Sequence, residues 1–105
     1  MQSLKIVSRL LPEVRSGLKT HTIRWREKKI VPGPMLYVNA SDVSDKILVL
    51  VTKVEKMPLS AVAFYLGRQN EWTDDGLLLG MREHYPEIEL DSVVDIIHHI
   101  TSGSS

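Results

Sequence analysis

Ile47-Leu48-Val49-Leu50-Val51 is an unbroken apolar run within Lys46–Val54. Its length and β-branched content suit a strand, and it falls far short of the ~18 residues of a membrane span. Without polar alternation, the run predicts a strand buried on both faces. The rest of the fold has to be arranged around that strand.

On its N-terminal side, residues 3–8 alternate polar and apolar side chains, as a half-buried strand does. A short helix follows at about 10–16, with Pro12 in its first turn and Gly17 as its stop. Residues 19–26 are rich in β-branched and aromatic side chains and predict a second strand. Val31-Pro32-Gly33-Pro34 predicts a turn outside helix and sheet, followed by a strand at Met35–Asn39. Beyond the central strand, Leu59, Val62, Ala63 and Leu66 recur at helical spacing. Thr73-Asp74-Asp75 is a capping sequence that opens a helix to about Tyr85, with Leu78, Met81 and Tyr85 on one stripe. Val93–Ile100 is the last strand. The order β-α-β-β-β-α-α-β predicts an α+β domain, a small mixed β-barrel with two or three short flanking helices. The expected domain spans 1–101, with 102–105 as a flexible tail.

The chain contains no cysteine. That excludes disulfides, thiolate metal sites and a cysteine nucleophile. The opening residues are too polar for a secretion signal, so the expected location is cytoplasmic, with no membrane association. Lys and Arg balance Asp and Glu at 13 each, but unevenly along the chain. Residues 1–30 hold eight basic and two acidic side chains, so the remainder carries the compensating negative excess. This asymmetry points either to an anionic partner at the basic end or to mutual neutralisation of the two segments.

The densest polar cluster is Gly17-Leu18-Lys19-Thr20-His21-Thr22-Ile23-Arg24. On a regular strand, Thr20, Thr22 and Arg24 share one face, and Lys19, His21 and Ile23 the other. Lys19 and Thr22 can converge only if Lys19 lies in the turn before the strand, or if a bulge shifts the parity. A solvated edge strand is the plain alternative. Trp25 is expected in the core and Trp72 at the surface. His98 and His99 are adjacent on a strand and point to opposite faces, and His21 and His84 stand apart from them in sequence. No metal site or cofactor is expected. Asn39-Ala40-Ser41 matches a glycosylation sequon, which is expected to be idle.

Gly17–Arg24 resembles the GxKTxTIR motif of the ASCH (activating signal cointegrator homology) family, within the PUA-like superfamily. Leu50–Ser60 resembles that family's strand-to-helix passage. His84-Tyr85-Pro86 with Asp91–Ile97 resembles its ending. The resemblance covers nearly the whole chain and implies a PUA-like barrel with RNA or modified-nucleoside ligands. It is nearest to the small bacterial members that hydrolyse N4-acetylcytidine. In that branch a Lys, a Thr and a later Glu carry the chemistry, matching Lys19, Thr22 and Glu71 here. Many members have a Glu-Gly-Phe-like triplet where this chain has Glu71-Trp72-Thr73.

The implied roles are Thr22 as nucleophile, Lys19 as its base and Glu71 as acid/base. Thr20, Arg24, Arg26 and Trp72 are the expected ligand-binding residues. Guanidinium groups bind phosphate or stack on bases, and indoles offer platforms. Two other readings remain open at this point. One is a non-enzymatic module for single-stranded RNA; the other is a metal-independent ribonuclease using Lys19, Arg24 and His21. A monomer is the expectation for a domain of this size.

Overall fold

Short-range chemistry accounts for most of the element ends. The computed structural model describes residues 1–101. β1 (Ser3–Ile6) leads through a 3-10 turn at Ser8–Leu10 into α1 (Leu11–Ser16). Then come β2 (His21–Arg24), β3 (Gly33–Asn39), β4 (Asp42–Pro58), α2 (Leu59–Tyr65), α3 (Asp74–Arg82) and β5 (Val93–Thr101). This is the expected α+β order. The expected tail at 102–105 lies outside the described residues.

The five strands form one mixed sheet in the order β1-β3-β4-β5-β2. β1 runs parallel to β3, and β3 antiparallel to β4. By chain contacts the molecule divides into two compact units. The first holds Met1–Thr22, Lys28–Val54 and the chain from Ile96 onward; the second holds Ile23–Glu27 and Glu55–Asp95.

The first unit has a core of Leu4, Ile6, Leu11, Val14, Met35, Tyr37, Val49 and Val51, joined by Ile30 and Ile97. Alternation explains which strand residues enter it. Met35 pairs with Val49 and Tyr37 with Ile47, and these positions point inward. The intervening Leu48 and Leu50, paired with Leu36 and Pro34, are 42% and 40% exposed. The central apolar run is therefore buried on one face only, contrary to expectation, and β4 extends well past Lys46–Val54 at both ends. Pro-Gly-Pro also departs from expectation. Gly33 and Pro34 open β3, opposite Val51 and Leu50. A strand tolerates proline at its start, where the missing N–H costs little. Gln2 holds the preceding turn. Its Nε2 donates to the Val31 carbonyl at 2.7 Å, and its Oε1 accepts from the Val31 N–H at 3.0 Å.

In the second unit, Leu59, Val62, Ile88 and Val94 are fully buried. Thr73 caps α3 by accepting from the Gly76 N–H at 3.1 Å. The helix stops at Arg82 and does not reach Tyr85. Pro86 disfavours helical backbone at the residue before it, and the chain leaves α3 through a turn in which the Tyr85 N–H bonds the Met81 carbonyl. Among the described residues, no helix is long and apolar enough to cross a membrane.

Candidate functional site

The geometry of the motif begins at the end of α1. Gly17 adopts a left-handed conformation (φ 83°) that a side chain would resist. Its N–H bonds the Val14 carbonyl at 3.1 Å, and the Lys19 N–H bonds the Glu13 carbonyl at 3.0 Å. These two bonds close the helix and leave Lys19 in the turn before β2. This is one of the two arrangements by which Lys19 and Thr22 can converge. Lys19 is half-buried, Thr20 exposed, and Thr22 buried at 6% exposure.

β5 lies beside this segment, with the His99 N–H donating to the Thr20 carbonyl at 2.9 Å. The His99 side chain points the other way from His98, into the interior, at 1% exposure. Its Nε2 lies 2.7 Å from the Tyr37 hydroxyl, and its Nδ1 has no hydrogen-bond partner among the described residues. Burial, reinforced by the positive charges of Lys19, His21 and His98, pushes the His99 pKa down to about 4. The imidazole is therefore neutral at neutral pH. His21 is not isolated: its ring centroid is 6.5 Å from that of His98. The first unit thus gathers an amine, two threonine hydroxyls and three imidazoles around the start of β2. Sequence reasoning missed Tyr37 and His99. The only signal for them was the strand parity that sends His99 inward.

The remaining expected residues belong to the second unit. Arg24 is held by Glu27 at 3.3 Å. Arg26 is exposed, with its guanidinium 4.4 Å from the centroid of the Trp25 ring. Glu71 lies in the loop between α2 and α3, exposed and ion-paired with Arg68 at 2.8 Å. The Arg68 guanidinium is also 5.9 Å from the centroid of Trp72, which is half-buried rather than exposed.

Trp25 is not a core residue either. It is half-buried and meets Tyr85 edge-to-face, with ring centroids 6.1 Å apart. Segments 25–27 and 84–87 line an open cleft of about 420 Å³. The Tyr85 hydroxyl donates to the Glu27 carboxylate. Burial, followed by that bond and the Glu27 charge, pushes the Tyr85 pKa up to about 12. The phenol therefore remains a donor at any physiological pH.

No family model matches the chain, and no curated protein matches it. Solved structures do. The chain is similar to protein EF3133 from Enterococcus faecalis, a DUF984 family structure, with a TM-score of 0.68 and 18% identity over 89% of this chain and 66% of that one. It is also similar to a serine-to-alanine mutant of ZmASCH from Zymomonas mobilis, with a TM-score of 0.67 and 11% identity over 92% and 65%. The chain thus spans about two-thirds of the length of these structures. At such identities the likeness is one of fold. The fold is ASCH-like, within the PUA-like α+β class.

Proposed function

We propose that the protein binds RNA or a modified nucleoside, and that its chemistry is hydrolysis of the amide on an N4-acylated cytidine. The observation that carries this reading is the placement of Lys19 in the turn immediately before the buried Thr22, on an ASCH-like fold. A threonine hydroxyl is a weak nucleophile until a neighbouring base takes its proton, and in this reading the Lys19 amine, three residues upstream, is that base. Thr22 attacks the acyl carbon, Lys19 accepts its proton, and Glu71 relays a proton to the departing exocyclic nitrogen; water then cleaves the acyl ester on Thr22, releasing the carboxylic acid and restoring the hydroxyl. Thr20, Arg24, Arg26 and Trp72 hold the ligand. Glu71 has to leave Arg68 to take part, and their ion pair is solvent-exposed and worth little.

Lys19→Ala and Thr22→Ala should each lower turnover of N4-acetylcytidine by at least about 100-fold, while Thr22→Ser keeps part of it. Chromatographic detection of cytidine release measures this. Full activity in either alanine variant would refute the assigned roles. One observation favours a second reading: the His21–His98 imidazole pair beside β2 is an acid/base couple suited to metal-independent cleavage of single-stranded RNA. Chelator-resistant cleavage of an oligonucleotide, lost in His21→Ala, would support it.

A further inference from the structure

Of the residues that line the cleft between segments 25–27 and 84–87, the first proposal uses Arg26 alone. On a regular strand, Trp25 and Arg26 would project to opposite faces. They do not, because β2 ends at Arg24 and Arg26 turns left-handed at φ 54°, the one non-glycine residue with positive φ among those described. Such a conformation is uncommon for a side chain as long as arginine. Its consequence is that both side chains line the same cleft, with the guanidinium resting over the indole. Across the cleft, Tyr85 braces the indole edge and is itself held by Glu27, which Arg24 also engages. The indole thus meets Tyr85 on one side and the Arg26 guanidinium on another. Its volume lies in the ~300–1,000 Å³ range of small-ligand sites.

We infer that this cleft is a second nucleobase subsite, which takes the base flanking the reacting cytidine in a single-stranded RNA. The incoming base stacks on Trp25 in the place where the Arg26 guanidinium now rests. The displaced guanidinium then meets the phosphate that joins the two nucleotides. Aromatic faces bind bases without regard to sequence, and arginine is suited to both stacking and phosphate. The exposed Glu87 carboxylate at the rim is an acceptor for an amino edge. This inference rests on the nucleic-acid reading above, and it extends that reading from a free nucleoside to a strand.

The test compares N4-acetylcytidine with a trinucleotide carrying it at the centre, by calorimetric titration of the full chain. The trinucleotide should bind at least about tenfold tighter, the order expected for one stacked base. Trp25→Ala should reduce that ratio to about one, and Trp25→Phe should retain most of it. A ratio near one in the wild type, or an unchanged ratio in Trp25→Ala, overturns the subsite. Hydrolysis of the free nucleoside is scored separately. The subsite can therefore fail while the proposed chemistry stands, and the chemistry can fail while strand binding stands.

Discussion

His99 is 1% exposed, with one imidazole nitrogen bonded to Tyr37 and the other unpartnered among the described residues. A buried polar atom without a partner costs free energy, and adding a proton there would cost more. An unfolded histidine titrates near 6.5, and folded His99 near 4. Between those values the unfolded chain binds one proton more than the folded chain. His99 therefore contributes stability that is fully present above about 6.5, declines as pH falls through the window, and is lost near 4. An NMR titration of the His99 ring should show neutral imidazole down to a midpoint near pH 4. A midpoint near 6.5 would contradict the buried, neutral assignment. Asn39 shows the same accounting at a turn. It is 5% exposed, its Nδ2 donates to Ser8 and Asp45, and its Oδ1 accepts from the Ser41 N–H. The sequon asparagine is thus committed to the β3–β4 turn.

At the scale of elements, α3 is the clearest case of local design. Gly76 and Gly80 count against the helix by propensity. The structure gives a reason for the first of them: a Cβ at Gly76 would lie 3.0 Å from the Thr73 Oγ1, crowding the capping hydroxyl. Asp74 and Asp75 in the first turn and Arg82 in the last complement the helix dipole. Thr73→Ala should cost about 1 kcal/mol and lower Tm by several degrees, with Thr73→Ser close to wild type. Thermal unfolding followed by circular dichroism measures both. No loss in the alanine variant would mean that α3 is held by packing alone.

Across the whole molecule, the balanced charge resolves into two opposed parts. The first unit carries eight basic and three acidic side chains, and the second carries five basic and ten acidic. Within the acidic unit, Arg26 lines the cleft and Arg24 lies two residues before it. Such a distribution suits a few local phosphate contacts and not a broad cationic track. Affinity for a single-stranded oligonucleotide of about 12 nucleotides should fall with a log–log salt slope of about −1 to −2, against about −6 or steeper for a protein that neutralises most of its phosphates. Titrations over a range of ionic strength decide this, and a steep slope would point to a much larger contact surface.

The sequence by itself determined the order of elements, their caps and stops, and the α+β class. It also placed Lys19 in a turn as one of two options. These are matters of a few adjacent residues: Gly17 after α1, Thr73 before α3, the spacing of Leu59, Val62 and Ala63. Tertiary structure decided the sheet order, the parallel pairing of β1 with β3, and the single buried face of β4. It also decided that Tyr37 meets His99, and that Trp25, expected in the core, builds a cleft with Tyr85. Each of these joins residues far apart in the chain. Strand pairing and burial depend on which surfaces remain once the whole chain has packed, and a local pattern such as Ile47–Val51 reads the same whether one face is covered or two.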